Sequence, residues 1–315
     1  MSNSIEFIPT PTIGAEVRGI DHENLTEEDQ ARLYAGWLDH GVLIFPGAGT
    51  STSIHLRLSR VFGPLEVHPQ VSLRVQDNED LIYLGGEGRN KGPMMMVNGE
   101  GLAGFIYYHQ DTSFTPNICK GSMLRMMEVP ASGRGDTVWV DTALAYETLP
   151  AALKERVETL MTRQTANQLL ARAWGMDDFE VRLARADEGP NALYKLETLP
   201  DVMQPMVITH PESGIKSLLL SPLNFIEVIG MNKNEGDALF DEVVRHALQP
   251  EFQYHHKWHV SDMVLWDNRR TMHFATGYPY HEKRLVLRTT LGGAQQTGRY
   301  YDPALNMETG TPASL

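Results

Sequence analysis

Apolar residues in this chain fall into short runs that are separated by glycine, proline and polar turns, which is typical of β-strands. Val42–Phe45 is a continuous apolar run closed by Pro46-Gly47, the pattern of a buried strand. Further strands are predicted within 6–20, 122–129, 133–140, 254–260, 263–266 and 284–291, and a hairpin within 206–220 that turns at 211–214.

Helices are predicted between these strands. Thr26, followed by Glu27 and Glu28, has the pattern of a helix start, and Gly41 is a plausible end of the same helix. Other helices are predicted over 51–62, 150–161 and 234–248. Strands at both ends of the chain indicate one mostly β domain over 1–315, a barrel or sandwich with flanking helices, in which the poorly periodic residues 163–200 form an insert.

A glycine-rich stretch with a methionine cluster occupies residues 85–104. Glycine permits varied backbone conformations, and the methionines at 94–96 adapt to varied apolar shapes. The stretch is interpreted as an active-site loop that covers the substrate; an ordinary surface loop is the alternative. Within it, Asn98 is a candidate substrate contact.

Charge and cysteine content narrow the class of protein. The chain has 27 Lys and Arg against 40 Asp and Glu, a formal charge of −13, and no long basic run, which argues against nucleic acid as a partner but not against small anions. The single cysteine, Cys119, excludes an intrachain disulfide and suits a reducing compartment. Neither a signal peptide nor a membrane span is recognisable, so we expect a cytoplasmic protein.

The most suggestive chemistry lies at His109 and Asp111. Residues two apart on a strand point to the same face, so this imidazole and carboxylate can bind one cation together. Two nitrogens and one carboxylate oxygen on one face of an octahedron suit non-haem Fe(II), which requires a further, distant histidine. Tyr107 shares the predicted face and either lines the pocket or packs in the core. Phe114, just after the pair, is another candidate substrate contact.

Two arginines lie four residues apart on a predicted strand near the end of the chain. Arg284 and Arg288 share one face, and Leu285 and Leu287 occupy the other. Either the arginines face water and the leucines face the core, or both guanidinium groups point into the protein and bind carboxylate or sulfonate groups. Periodicity alone leaves both interpretations open.

The motifs taken together resemble the taurine dioxygenase and 2,4-dichlorophenoxyacetate dioxygenase family of Fe(II)- and 2-oxoglutarate-dependent enzymes. The resemblance rests on 14–20, 62–64, 109–114, 135–137, 266–269, His273, Arg284 and Arg288. It implies a double-stranded β-helix, also called a jelly roll, with a cupin-like core. It also implies that His109, Asp111 and His273 bind iron and that Thr137 and Arg284 bind 2-oxoglutarate, and it places Arg288 at the acid group of the substrate.

The activity implied by this resemblance is oxidation of a small organic anion with Fe(II), 2-oxoglutarate and O₂, which releases succinate and CO₂. A sulfonate, an aryloxyalkanoate or another carboxylate is expected as substrate, and a homodimer or homotetramer as the assembly. Tyr108, where many relatives have tryptophan, leaves the organic part of the substrate open. A cupin-like metal enzyme that does not use 2-oxoglutarate and a non-catalytic ligand-binding protein are the alternatives.

Overall fold

The computed structural model describes residues 5–67, 73–86, 91–166, 172–185, 199–293 and 295–303. Its α-helices are α1 (Glu27–His40), α2 (Thr52–Val61), α3 (Thr142–Glu147), α4 (Ala151–Val157) and α5 (Lys233–Ala247), and a 3₁₀-helix spans Pro250–Phe252. Its strands are β1 (Glu6–Pro9), β2 (Ala15–Arg18), β3 (Val42–Phe45), β4 (Leu65–Glu66), β5 (Arg74–Val75), β6 (Asn78–Gly85), β7 (Met95–Val97), β8 (Glu100–His109), β9 (Asn117–Ile118), β10 (Gly121–Glu128), β11 (Thr137–Asp141), β12 (Met161–Gln164), β13 (Val181–Leu183), β14 (Val202–Pro205), β15 (Val207–Thr209), β16 (Lys216–Leu218), β17 (Phe225–Val228), β18 (Gln253–His256), β19 (Met263–Asp267), β20 (Thr271–Pro279), β21 (Leu285–Leu291), β22 (Gln295–Gln296) and β23 (Arg299–Tyr300).

Two sheets form the centre of the molecule. The larger has the order β1-β2-β3-β19-β10-β21-β6-β5, with β4 paired to β21, and the smaller has the order β13-β7-β8-β20-β11-β18. Trp139 of the smaller sheet packs in one buried cluster with Trp266, Val264 and Val286 of the larger sheet, so the two sheets enclose a common core. This mostly β sandwich confirms the jelly-roll prediction.

Helices cover the outer faces of both sheets. Leu33 and Trp37 of α1 and Leu58 of α2 pack with Met123 and Leu265 on the outside of the larger sheet. The outer side of the smaller sheet is buried under α3, α4, α5 and the β15–β16 hairpin in the largest apolar cluster. Each sheet is therefore buried on both faces, which removes the alternation of apolar and polar residues that a half-exposed strand shows.

The predicted helix boundaries are confirmed where the capping residues are specific. Thr26 accepts a hydrogen bond from the backbone of Asp29, whose side chain accepts one from the backbone of Thr26, and Gly41 ends α1 with a φ of 71°. The helix predicted over 150–161 ends earlier, at Val157, because β12 begins at Met161 and pairs with β14 and β17.

The structure shows which way Arg288 of β21 and Arg284, the residue just before this strand, point. Val286 lies in the core between the sheets, and Leu287 packs with Leu56 of α2 on the opposite face. Arg284 and Arg288 have the parity of Val286, so they point inward, and the interpretation that they face water is wrong. That interpretation assumed that one face of the strand is exposed to water. In the structure, α2 covers the face that carries Leu287.

The stretch at 85–104 is more ordered than a loop over much of its length. Residues 87–90 lie outside the described part of the chain, but Met95–Val97 form β7, which pairs with β8 on one side and β13 on the other. The expected insert at 163–200 contributes β13 to this edge, and its residues 167–171 and 186–198 are likewise not described. Among the described helices, none has the length and apolar character needed to cross a membrane.

Candidate active site

The three predicted iron ligands meet between the sheets. His109 is the last residue of β8 and lies opposite His273 of β20 in the ladder, with ring centroids 4.1 Å apart. Asp111 is not on a strand, as the i, i+2 argument assumed, but in the turn after β8, where Thr112 has a φ of 58°. The turn brings the carboxylate to the ring nitrogens, with Asp111 Oδ1 lying 3.6 Å from His109 Nε2 and 3.9 Å from His273 Nε2.

This arrangement fits a divalent first-row metal ion. One ligand atom from each of the three residues lies within 4.8 Å of the others, and all three residues are buried. Neighbouring ligands of an octahedral ion with bonds of about 2.1 Å are about 3 Å apart, so binding requires only a small contraction. Two histidines and one carboxylate on one face are the donor set of non-haem Fe(II) oxygenases.

Hydrogen bonds fix which atoms are available to the ion. His109 Nδ1 donates to the carbonyl oxygen of Tyr107 over 2.8 Å, which leaves Nε2 as the ligand atom. Burial and the adjacent His109 ring lower the pKa of His273 well below its ordinary value, so its imidazole is neutral and able to bind metal. Burial acts to raise the pKa of Asp111, but the charge of Arg288 and the two histidines outweigh it, and the net shift is downward.

Two residues for which no role was predicted from the sequence, Asn268 and Ser122, contact Asp111. Asn268 accepts a hydrogen bond from the Asp111 backbone N–H over 2.8 Å and donates to the Asp111 carbonyl oxygen over 2.9 Å. Ser122 of β10 lies 3.5 Å from Asp111 Oδ2 and accepts a 2.8 Å hydrogen bond from Arg288. Asn268 is part of the quoted motif at 266–269, which is the only signal that could have found it; nothing in the sequence singles out Ser122.

A buried charge network lies behind Asn268. Asp267 is fully buried and pairs with His210 over 2.9 Å and with Arg269 over 3.0 Å, and Arg269 also pairs with Glu212. Burial alone would raise the pKa of Asp267, but the hydrogen bonds from His210 and Arg269 lower it. The network joins the β15–β16 hairpin to the turn between β19 and β20, which carries Asn268.

The residues expected to bind 2-oxoglutarate lie on facing elements. Thr137 is buried, and its oxygen accepts a hydrogen bond from Trp258 Nε1 over 3.0 Å, so its own O–H remains a donor. Burial lowers the pKa of Arg284 to about 10, against the opposing effects of Tyr278 and Asp136, so its guanidinium stays charged at neutral pH.

Two observations at Arg284 are consistent with the binding of an organic anion. The Nε of Arg284 is buried and has no hydrogen-bond partner, which is costly unless an acceptor binds there. A Cβ on Gly135, two residues before Thr137, would lie 3.1 Å from both Cδ and Nε of Arg284. Gly135 therefore leaves space for the Arg284 side chain beside β11, the strand of Thr137. This proximity is required if Arg284 and Thr137 are to bind the same carboxylate of 2-oxoglutarate.

Two of the expected substrate contacts, Tyr107 and Asn98, have other partners in the structure. Tyr107 is fully buried, and its hydroxyl donates to the carbonyl of Trp174 on the outer side of the small sheet, so its predicted place beside the ligands is wrong. The ladder pairs His109 with His273 but Ile106 with Ala275, and this bulge reverses the parity of the strand. Asn98 lies in the turn between β7 and β8, and its side-chain Oδ1 accepts a hydrogen bond from the backbone N–H of Glu180.

Arg288 contacts Asp111, one of the three expected metal ligands. Its Nη2 donates to Asp111 Oδ2 over 2.8 Å, so Asp111 turns one oxygen to the histidines and the other to this guanidinium. The Nε of Arg288 is buried without a partner. Phe114 is half-buried in the turn that follows Asp111, and its expected contact with substrate stays a prediction.

Comparison with known proteins agrees with this geometry. The family model described as "Taurine catabolism dioxygenase TauD, TfdA family" matches residues 6–290. An (S)-phenoxypropionate/alpha-ketoglutarate-dioxygenase of Sphingobium herbicidovorans is 31% identical over 93% of this chain and 96% of its own. An alpha-ketoglutarate-dependent 2,4-dichlorophenoxyacetate dioxygenase of Cupriavidus pinatubonensis is 30% identical over 89% and 94%.

A solved structure has the same fold. The crystal structure of AAD-2 in complex with Mn(II) and N-oxalylglycine superposes with a TM-score of 0.70 and 26% identity, covering 93% of this chain and 98% of that one. The family match, the two relatives and the assembled ligand triad lead to one conclusion. The chain belongs to the TauD, TfdA family and is an Fe(II)-dependent dioxygenase that uses 2-oxoglutarate and O₂.

Proposed function

We propose that this enzyme oxidises a small organic anion that combines a carboxylate or sulfonate with an apolar aryl or alkyl part. The observation that carries the proposal is Arg288, a cation on the inner face of β21 in direct contact with the metal ligand Asp111. Its Nε is unpartnered, so the guanidinium has a donor left for the acid group of a substrate bound next to the metal.

The position of Ile106 supports a substrate that has an apolar part besides its acid group. It lies opposite Ala275 on the inner face of the small sheet, one bulge away from His109, and 38% of it is exposed although most of β8 is buried. An exposed isoleucine beside buried polar ligands offers an aryl or alkyl group a surface to cover. The relatives named for phenoxypropionate and 2,4-dichlorophenoxyacetate act on molecules of this composition.

The residues of the chain would divide the work as follows. His109, Asp111 and His273 would hold Fe(II), and Thr137 and Arg284 would hold the distal carboxylate of 2-oxoglutarate. When bound, iron and 2-oxoglutarate supply the O₂ activation that puts one oxygen atom into a substrate C–H bond and the other into succinate, with loss of CO₂. The protein positions the two carbon chains and excludes water.

Arg288 would set which C–H bond reacts. By holding the acid group of the substrate beside Asp111, it would bring the carbon next to that group closest to the metal. If that carbon bears an ether or ester oxygen, its hydroxylation gives a hemiacetal-type product that breaks down, so an aryloxyalkanoate would release a phenol.

A substrate screen tests this proposal. Iron-loaded enzyme with 2-oxoglutarate and ascorbate is given aryloxyalkanoates, alkyl carboxylates and sulfonates, each with a neutral amide or alcohol of the same shape. We expect succinate formation coupled to product, measured by mass spectrometry, for at least one acid and about 100-fold less for its neutral match, since a charge pair in a buried site contributes about 3 kcal/mol. Turnover of neutral compounds only would refute the proposal.

Several properties of the whole protein belong to the proposal as well. We infer one catalytic domain over the full chain, a cytoplasmic location and a homodimer or homotetramer, without nucleic acid or a membrane as a partner. The buried, reduced Cys119 and the absence of a disulfide within the described residues suit the cytoplasm. Light scattering at micromolar concentration tests the assembly.

A further inference from the structure

Arg125 of β10 is a fully buried cation. Its side chain has no exposed surface and points to the outer face of the larger sheet, under α2. Within the described part of the chain, its guanidinium forms one hydrogen bond, from Nη2 to the hydroxyl of Thr52 over 3.3 Å, and both Nε and Nη1 are buried without a hydrogen-bond partner. Among the residues that the structure describes, no Asp or Glu forms an ion pair with it.

The described residues around this guanidinium are apolar or uncharged. Leu287 lies opposite Arg125 in the ladder and belongs to an apolar cluster with Leu56 and Leu81. His55 of α2 is fully buried, and burial together with Arg125 lowers its pKa to about 3, so it is neutral. Arginine stays protonated in proteins, and an unpaired buried charge costs several kcal/mol.

The hydrogen bond to Thr52 places the guanidinium at the N-terminus of α2. This helix begins at Thr52 after the N-cap Ser51, and its first turn has no acidic residue. The free N–H groups of a first helical turn attract anions, because the helix dipole is positive there. The helix end and the guanidinium therefore present positive charge to the same place, where a first-turn Asp or Glu would ordinarily compensate it.

We propose that Arg125 and the first turn of α2 bind a small monovalent anion of the size of chloride. One negative charge neutralises one guanidinium, whereas a divalent oxyanion would leave a net charge at the site. The site lies on the opposite face of the larger sheet from Arg288 and the metal ligands, so it is separate from the catalytic centre and does not depend on the proposed substrate.

A melting experiment in two salts tests the site. The metal-loaded wild-type protein and the variants Arg125→Met and Arg60→Met are melted in sodium chloride and in sodium gluconate of equal ionic strength. We expect chloride to raise the Tm of wild type saturably by about 2 to 5 °C over gluconate. Arg60→Met, a charge-matched control on the exposed side of α2, should keep this rise, and Arg125→Met should lose it.

Bromide provides the second measurement, which needs no variant. A wild-type crystal soaked in bromide should show an anomalous peak within hydrogen-bond distance of Arg125 Nε or Nη1. Absence of a peak there, together with an equal salt response of wild type and Arg125→Met, would overturn the proposal. If Arg125→Met fails to fold, the bromide peak alone decides.

Discussion

The two oxygens of Asp111 have different partners, and this division explains much of the site. Oδ1 faces both ligand histidines, whereas Oδ2 accepts a hydrogen bond from Arg288. The guanidinium keeps the carboxylate ionised and turns one oxygen toward the metal position. The side chain of Asn268 forms hydrogen bonds with both the backbone N–H and the backbone carbonyl of Asp111. Metal ligands oriented in this way lose affinity when the supporting residue is removed.

Asn268→Ala should therefore weaken metal binding although residue 268 is not a ligand. We expect the Kd for Mn(II) to rise about 10- to 100-fold, because the backbone of Asp111 loses its two hydrogen bonds with the Asn268 side chain. Calorimetric titration of the metal-free protein measures the change. Asn234→Ala, on the exposed side of α5, serves as control and should bind as wild type does. An unchanged Mn(II) affinity in Asn268→Ala would contradict the proposed role of Asn268 in positioning Asp111.

Gly135→Ala should impair the binding of 2-oxoglutarate selectively. The added Cβ would lie 3.1 Å from Arg284 and would push its side chain, so we expect the KM for 2-oxoglutarate to rise about 10-fold with Mn(II) affinity unchanged. Gly133→Ala is a matched control, since Gly133 lies in the same turn with a φ of 68° but has open space at its Cβ. If both variants raise KM equally, backbone strain and not contact with Arg284 is the cause.

At the scale of elements, the bulge in β8 decides which side chains reach the site. Between the pairs His109–His273 and Ile106–Ala275, two residues of β8 lie opposite one residue of β20. Tyr107 and Tyr108 consequently both pack on the outer side, and Ile106 takes the inward position that strict alternation gives to Tyr107. The bulge thus exchanges a phenol for an aliphatic surface beside the metal.

The edge strand β18 should make the stability of the protein depend on pH. Burial lowers the pKa of its His256 to about 4, against a value of about 6.5 in the unfolded chain. As the pH falls from about 6.5 to about 4, the unfolded chain binds a proton that the folded chain excludes. The free energy of unfolding should then fall by up to about 1.4 kcal/mol per pH unit from this residue alone.

Urea unfolding at several pH values between 7 and 4.5 measures this dependence. His256→Gln should show a flatter decline than wild type, because its side chain does not titrate. His281→Gln, a change at a largely exposed histidine, should follow wild type. A slope in His256→Gln as steep as in wild type would assign the dependence to other groups.

At the scale of the whole molecule, the site is supported from both sides. Buried clusters lie between the sheets and under the helices on either face, and Arg288 compensates the charge of Asp111. We therefore expect the framework that carries these residues to fold without the ion.

Removal of metal should accordingly lower stability but leave the fold intact. We expect a chelator to preserve the far-UV circular dichroism spectrum. Addition of Mn(II) and N-oxalylglycine should raise the Tm by about 5 °C, since ligands at 100 times their Kd stabilise by about 2.7 kcal/mol. Loss of the near-UV spectrum in the metal-free protein would show instead that the ion organises the core.

Residue types and their spacing were enough to predict much of the local structure and the chemical identity of the site. Thr26 and Gly41 mark the two ends of a helix, and they could be recognised because capping depends on neighbouring residues. The order of the motifs from His109 to Arg288 indicated the iron ligands through their resemblance to a family. These inferences needed only residue types and spacings, which are properties of the chain.

The directions of several side chains, in contrast, depend on contacts between distant parts of the chain. Arg288 faces inward because α2 covers the other side of its strand, and Tyr107 faces outward because a bulge shifts the register by one residue. Asn268 meets Asp111 across 157 positions of sequence. Alternation predicts faces only for a regular strand with one side in water; in a sheet buried on both sides, the partners brought by folding make that choice.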